Sequence, residues 1–440
     1  MADLKVIKTA AETGLAEAYA QARAALPGGA TVAEQRAAAF DLFAREGLPH
    51  RRVEDWKYTD LRALMREAKP LASPPDAAAK ARAKSAGQIG DVECRRLVLV
   101  DGAFVAELSD LAALEAGLTV QSLAAALADD DAGLLAHLGK LAPVGDVAVA
   151  LNTALMGDGA VIRIGAGATI ERPLHLVHVA SQQPAASFVR SLVVVERGAR
   201  VMLIQSHEGP ARSDYQINAA LELFVADDAH VDHVRIIDEG ADALHVSTLA
   251  AAVGARARFN AFTFTSGGAV IRNQLFMTFD GAGSTANIRG ATLIKGRQHA
   301  DTTLLASHAA RGCQSREVFK SVLDDEAHGV FQGRIVVRPH AQETDAKMMT
   351  RALLLSERAE ADNKPELEIF ADDVQCGHGA TAGALDAELK FYLMARGIPA
   401  AEAEALLIQA FVGEAIEGIE HAGLREALMD RVAAWLKARG

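Results

Sequence analysis

The chain has 440 residues; half are hydrophobic but only 5% are aromatic, so aliphatic side chains must fill its core. Its formal net charge is −12, and it has no dense run of Lys and Arg, which argues against sequence-independent nucleic-acid binding. No stretch reaches the about 18 uninterrupted apolar residues of a membrane span, and the first residues lack the apolar core of a secretory signal. Cys94, Cys313 and Cys376 are too scattered for a disulfide framework, so we expect a cytoplasmic protein.

The first part of the chain is predicted to be helical. The segments AEAYAQARAAL and VAEQRAAAFDLFAREGL repeat apolar residues at three- and four-residue spacing. Residues 71–87 contain paired prolines followed by alanine and charge, which predicts a linker or a loosely held helix. We therefore expect an N-terminal helical domain with its linker over residues 1–95.

Short β segments dominate the middle of the chain. They are rich in Val, Ile, Thr and Phe, as in LHLVHV and SLVVVE, and small turn residues separate them. The turns recur at roughly 26 to 30 residues, a period typical of repeat architectures. The recurring turns are Gly198–Ala199, Asp228–Ala229, Gly254–Ala255 and Gly281–Ala282.

This period predicts a parallel β-helix over residues 96–380, with a helical insertion at about 111–141. A β-sandwich is the alternative, but the segment lacks the Asn-Gly hairpin signals that such a fold favours. After residue 381 the spacing is again helical, with Gly397 and Pro399 between two helices. The sequence thus predicts a mainly β protein with a C-terminal helical domain over residues 381–440.

The segment FADDVQCGHGAT holds the strongest candidate site. Cys376 and His378 are two residues apart, so in an extended chain both leave one face, with Cα atoms roughly 6.5 Å apart. A thiolate and an imidazole in this arrangement can share a metal ion or a cluster. A tetrahedral centre needs four ligands, so the others would come from elsewhere, such as a second chain. The alternative is a glycine-flanked corner with an inert, buried cysteine.

The other histidines give weaker signals. His175 and His178 are three residues apart, as are His230 and His233, and an odd spacing sends the two side chains of a strand to opposite faces. Neither pair can chelate one metal ion unaided, so we interpret all four as isolated or corner histidines. The chain also lacks the sequence patterns of a P-loop, of an H-E-x-x-H zinc site and of a G-x-S-x-G nucleophile.

Three segments resemble the SufB/SufD family of iron–sulfur cluster assembly proteins. They are PELEIFADDVQCGHGAT, the following LDAELKFYLMARGIPAAEAEALLIQAFVGE, and HRRVEDWKYTDLR near the N-terminus. The Cys-x-His-Gly-Ala-Thr pattern is similar to the SufD type, whereas the SufB type has Glu-His-Glu-Ala-Thr. The resemblance is collinear to near Glu414, and it implies a right-handed parallel β-helix between helical terminal domains.

The resemblance also implies a function. SufD-type proteins are non-catalytic scaffold subunits that pair with SufB and bind the ABC-type ATPase SufC, with a homodimer as an alternative assembly. A nascent, transient Fe–S cluster would be shared with the partner chain through Cys376 and His378, and this chain would bind no nucleotide. The tail would dock the ATPase through large apolar and charged residues. We expect these to be Phe391, Tyr392, Arg396, Phe411 and Glu414.

Some alternatives stay open at this point. Trp56 and Tyr58 could mark a partner surface or could anchor the helical head. The chain could be a structural adaptor without cluster contact, or a polysaccharide-active β-helix enzyme. The enzyme is disfavoured because the paired aspartates at 227–228, 324–325 and 372–373 would point to opposite faces of extended strands.

Overall fold

The computed structural model describes residues 8–141, 143–181 and 184–439. Most of these residues form strands that alternate between two large sheets. In chain order the strands are β1 (Arg95–Val100), β2 (Ala103–Phe104), β3 (Leu118–Ser122), β4 (Ala160–Ile164), β5 (Leu174–Val179), β6 (Ala185–Val195), β7 (Arg200–Glu208), β8 (Tyr215–Val225), β9 (His230–Asp238), β10 (Leu244–Val253), β11 (Arg258–Thr265), β12 (Val270–Phe279), β13 (Thr285–Ile294), β14 (His299–His308), β15 (Gln314–Leu323), β16 (His328–Val337), β17 (Thr344–Leu354), β18 (Glu360–Ile369) and β19 (Val374–Gly383).

The strand order is that of a parallel β-helix, as the sequence period predicts. The ten-stranded sheet runs β19-β17-β15-β13-β11-β9-β7-β5-β1-β2, and the nine-stranded sheet runs β18-β16-β14-β12-β10-β8-β6-β4-β3. From β4 and β5 onward, neighbouring strands are parallel and in continuous register. Within the described part of the chain, only β2 and β3, at the first end, pair antiparallel with their neighbours. The β-sandwich alternative is therefore wrong.

Corner residues explain why the sequence shows a period. One column of corners has left-handed backbone dihedral angles and recurs roughly every 30 residues. Its backbone N–H groups donate to carbonyl groups of the next coil, as Gly198 does to Asp227 at 2.9 Å. The column consists of Gly167, Gly198, Asp228, Arg256, Gly283, Gly312 and Glu343. Glycine, aspartate and small neighbours suit this conformation, which is why the turns are visible in the sequence.

The interior between the two sheets is the main core. Inward side chains repeat at every second residue, and the register stacks them in columns along the β-helix. One such column contains Val231, Phe259 and Ala286, all almost fully buried. Aliphatic residues fill most of this space, as expected for a chain with so few aromatic residues.

Helices cover the outside of both sheets. The helices are α1 (Ala10–Ala22), α2 (Ala30–Glu46), α3 (Leu61–Leu64), α4 (Ala77–Ala83), α5 (Leu123–Ala128), α6 (Ala132–Leu135), α7 (Val147–Leu155), α8 (Ala387–Met394), α9 (Ala400–Ile416) and α10 (Ala422–Arg439). Among the described residues, none of them has the length and apolar character needed to cross a membrane.

The segment interpreted as a linker is packed more firmly than we expected. It contains α4, whose N-cap Asp76 accepts a hydrogen bond from the Ala79 backbone at 2.7 Å. Ala79 and Ala83 are buried against Val98 and neighbouring strand residues. The small alanine side chains allow this close approach, so the helix is held against β1 although it also carries Lys80 and Arg82.

The last two helices pack across the ten-stranded sheet. Apolar residues of α9 and α10, including Ile408, Val412 and Leu428, form one buried cluster with sheet residues such as Phe262 and Leu293. Helix α8 does not take part in the same way, because none of its residues is buried. The C-terminal tail therefore has one packed part and one exposed part.

Candidate functional site at the open end of the β-helix

The β-helix ends without a cap at its C-terminal coil. Strand β18 pairs only with β16, and β19 only with β17, among the described residues. Both strands are partly or fully exposed along their whole length, whereas earlier strands are mainly buried. Unpaired strand edges present free backbone N–H and C=O groups to a binding partner. We call this region, β18 with β19, the open end.

Cys376 and His378 lie on β19, at the open end. Cys376 is half-buried and packs against the interior core, while His378 is exposed and stands in register with the interior residue Met348. The strand conformation therefore supports the sequence argument that both side chains leave the same face. Burial raises the pKa of the Cys376 thiol, so a metal that binds there must displace a proton.

A groove of about 540 Å³ lies in front of this pair and extends inward. Besides Cys376 and His378, its lining includes Met348 and Glu317. The register places Glu317 beside Met348 on one side and Ile288 on the other, so Glu317 belongs to the same inward column as His378. The groove thus connects the candidate ligands with a carboxylate from inside the β-helix.

Glu317 is the site residue that the sequence reasoning missed. It is fully buried, and neither carboxylate oxygen has a hydrogen-bond partner among the described residues. Burial raises its pKa to about 7, so the group changes charge near neutral pH. The coil period was the available signal, because stepping back from His378 by about 30 residues leads to Met348 and then to Glu317.

The residues expected to dock an ATPase fall into two groups. Phe391 is 71% exposed on α8, and Tyr392 is exposed beside it, with the Arg396 guanidinium 3.3 Å from the Tyr392 ring centroid. Phe411 instead packs on the α9–α10 cluster, and Glu414 forms an ion pair with Lys320. The structure therefore brings Phe391, Tyr392 and Arg396 together on a free surface.

Trp56 anchors the helical head. Its ring is buried, and the guanidinium of Arg272 on β12 stacks on it at 4.4 Å. Thr59, in the same segment, makes a 2.9 Å hydrogen bond with His299 on β14 and another with Asp301. Tyr58 is only half-buried. The interpretation of Trp56 as part of a partner surface is therefore wrong, because this segment packs against the outer face of the nine-stranded sheet.

The paired histidines point to opposite sides, as their spacing predicts. His175 bonds Ser206 at 2.8 Å, whereas His178 faces inward and stacks on His207. Interpreting His178 as an isolated histidine is wrong, because the parallel register places His207 directly beside it on β7. His233 also faces inward, where it contacts Gln205 at 2.9 Å.

The fold and the open end define a class: parallel β-helix proteins with helical domains at both termini and a Cys/His pair on the last coil. Family models agree with this assignment. The model described as SUF system FeS cluster assembly, SufBD core domain matches residues 177–411, and the SufBD protein N-terminal region matches residues 9–176. The chain therefore belongs to the SufBD family of iron–sulfur cluster assembly proteins.

Two of the relatives below extend over almost the whole chain, and a third over about two thirds of it. An iron–sulfur cluster assembly SufBD family protein of Synechocystis sp. is 33% identical over 91% of this chain and 90% of its own. SufD of Escherichia coli is 31% identical over 88% of this chain and 89% of its own. SufD of Bacillus subtilis is 26% identical over 66% of each chain.

Proposed function

We propose that this chain is a SufD-type, non-catalytic scaffold subunit that works in the cytoplasm. In this proposal it pairs with a SufB-type paralogue through the open end and holds a nascent Fe–S cluster with Cys376 and His378. The cluster is cargo, assembled and released, and the partner chain supplies the remaining ligands. The observation that carries the proposal is the position of Cys376 and His378 on the uncapped last coil.

The edge of β19 supports a seam with another chain. Its residues from Val374 to Gly383 include no Asp, Glu, Lys or Arg, and three of them are glycines. Strand β18 is different, because Pro365 and several charged residues make its edge a poor template for another strand. Strand addition would therefore favour β19, which carries both ligand candidates.

The chemistry of the two side chains suits a transient cluster. Thiolate binds iron strongly, whereas a terminal imidazole binds it less tightly, which favours release of the cluster. His378 is the more accessible of the two, so we assign it the larger role. A partly buried cysteine beside it would add a second ligand once its proton has left.

We further propose that the exposed part of α8 docks a SufC-type ATPase. Phe391, Tyr392 and Arg396 are large, exposed and adjacent, which is the composition of interface hot spots. Phe411 and Glu414 would support this surface from α9 through their own packing. The chain itself is expected neither to bind nor to hydrolyse ATP.

The cluster proposal is tested by co-expression with the paralogue and the ATPase, followed by anaerobic purification. We expect His378→Ala to assemble normally by gel filtration but to lose most of the iron and sulfide per complex. His340→Ala is the matched control, since His340 is another exposed histidine outside the groove lining. Cys376→Ser should do less harm if histidine is the main ligand. An intact His378→Ala complex with wild-type iron and sulfide would refute the proposal.

The docking proposal is tested separately by pull-down of the ATPase. A Phe391→Ala/Tyr392→Ala variant should weaken binding by about 30-fold, the loss of about 2 kcal/mol expected for hot-spot residues. Leu64→Ala on the head removes another exposed apolar residue and should leave binding unchanged. If the wild type and both variants retain the ATPase equally, the docking surface lies elsewhere.

A further inference from the structure

A second group of chemically active residues lies inside the β-helix, several coils away from the open end. His178 on β5 and His207 on β7 are in register, and their rings stack with centroids 4.2 Å apart. His245 on β10 meets His207 edge-on, at a centroid distance of 4.7 Å. Glu239, just after β9, accepts a 2.8 Å hydrogen bond from His245 Nδ1. One possible ligand atom from each of His207, Glu239 and His245 lies within 4.8 Å of the others.

The imidazoles of this group are not satisfied by the protein. His178 Nε2, His207 Nδ1 and His245 Nε2 have no hydrogen-bond partner among the described residues. His207 and His245 are at most 1% exposed. Leaving a buried polar atom unpaired costs about 1–3 kcal/mol, so three such atoms in one place call for a ligand. His175, equally buried on β5, bonds Ser206 instead.

Burial disfavours the charged form of two of these histidines. It lowers the pKa of His178 to about 3 and that of His207 well below its ordinary range, and the neighbouring histidines and Arg235 lower both further. The neutral imidazole is the form that binds metals. Arg235 itself donates to Gln205 and Ser247.

The hydrogen bonds of Glu239 place it to orient His245 toward a metal ion. The Tyr215 hydroxyl donates to one of its oxygens at 2.5 Å, while the other oxygen accepts from His245. A carboxylate that holds the Nδ1–H of a histidine directs the Nε2 lone pair of that ring toward a metal. The unpaired Nε2 of His245 is the atom that this arrangement leaves available.

A groove leads toward the group from outside. It has a volume of about 570 Å³, and its lining includes three carboxylates, Glu208, Asp238 and Glu239, together with Arg82. Burial raises the pKa of Glu208 and of Asp238, and the neighbouring carboxylates raise both further. Arg431 neutralises part of this charge by pairing with Asp238 at 2.9 Å. Crowded carboxylates attract a cation and would guide it to the histidines.

We propose that His207 and His245 bind one divalent first-row transition metal ion, Fe²⁺ or Zn²⁺, inside the β-helix, with Glu239 holding His245 in the orientation that binds it. Imidazoles are ligands that both ions accept, and the positions left over are open to His178 or water. The site is separate from Cys376 and His378 and does not depend on the function proposed for them.

The test uses the full chain carrying Cys376→Ser and His378→Ala, so that binding at the open end cannot contribute. The protein is stripped with a chelator and titrated with Co²⁺, whose visible absorption reports nitrogen and oxygen ligands. We expect one Co²⁺ per chain. Competition with Zn²⁺, and with Fe²⁺ under anaerobic conditions, then decides between the two ions.

Single substitutions in this background locate the site. His207→Gln, His245→Gln and Glu239→Gln should each weaken Co²⁺ binding at least 10-fold. His175→Gln is the matched control, because it removes a buried histidine whose ring already has a protein partner, and its Co²⁺ affinity should stay unchanged. Absence of stoichiometric binding, or equal affinity in His245→Gln, would overturn the proposal.

If circular dichroism shows that these variants do not fold, a further measurement is made. X-ray absorption of Co²⁺ bound to the Cys376→Ser/His378→Ala protein then decides the question. Scattering from two or more imidazoles supports the site, and a shell of oxygen ligands alone overturns it.

Discussion

The two ends of the β-helix are built in opposite ways. At the first end, β2 and β3 pair antiparallel with β1 and β4, so each sheet finishes in a reversed strand. At the last end, β18 and β19 each have one edge without a strand among the described residues. Parallel stacking continues as long as another coil can be added, and a reversed strand interrupts it.

Two sets of polar groups, one toward each end, also differ in whether they have partners. Near the first end, Arg190 and Glu222 are both buried and bonded to each other at 2.7 Å. Toward the open end, Glu317 is buried without a partner, and Cys376 and His378 face a groove. The Arg190–Glu222 pair is thus satisfied within the chain, whereas these groups at the open end are left available for chemistry or a partner.

The largest expected contrast is between two phenylalanines. Phe259→Ala, in the closed interior, should lower the free energy of unfolding by about 3–5 kcal/mol, because it opens a cavity in a packed core. Phe370→Ala, at the open end where the ring is 57% exposed, should change it by no more than about 0.5 kcal/mol. Urea unfolding of both variants checks this, and equal losses would mean that the closed interior and the open end are packed alike.

Ion pairs should show the same contrast. Glu222→Gln leaves Arg190 charged and buried, and should cost about 3–5 kcal/mol. Glu343→Gln breaks the exposed pair with Arg311, where solvent screens the charges, and should cost much less than the buried change. Thermal unfolding at matched pH measures both, and a large loss in Glu343→Gln would contradict the comparison.

Glu317 should make the stability of the chain depend on pH. Its pKa in the fold, about 7, lies above the ordinary value of 4.5, so the folded chain binds more protons in this range. Stability should therefore fall as pH rises from 4.5 to 7, by about 3 kcal/mol from this group. Glu317→Gln cannot ionise, so its unfolding free energy should lack this part of the slope. An unchanged slope would assign the pH dependence to other groups.

The smallest expected effect concerns His378. Because His378 is exposed on the last coil, His378→Ala should change the unfolding free energy by less than about 1 kcal/mol. His340→Ala should behave in the same way, and circular dichroism melts of the two variants should overlay. A large destabilisation by His378→Ala alone would mean that the residue belongs to the packed structure of the end.

The fold could be predicted from sequence because its corners repeat. Glycines such as Gly198, and Asp228 in the same conformation, mark the coils at nearly even spacing. The Cys376–His378 pair could also be found, since it depends only on local alternation along one strand. Both signals are contained in short stretches of chain and need no long-range information.

Contacts between coils were harder to predict. Coils vary in length, and an error of one residue in register moves a side chain to the other face. His207 lies 29 residues after His178, so their stacking depends on the corner between them. Glu317 precedes Val318 and Phe319 in a stretch that alternates like any half-buried strand. The register with Ile288 and Met348 shows that its side chain points inward.

The asymmetry of the two ends bears on how many chains an end-to-end contact can join. A β-helix with two uncapped ends could add copies of itself indefinitely and grow into a fibre. Among the residues that the structure describes, the reversed strands β2 and β3 occupy the first end, so the proposed contact through β19 would use the uncapped terminus of each participant. Growth through that contact would stop at two chains, and the strands that finish the fold would also limit its stoichiometry.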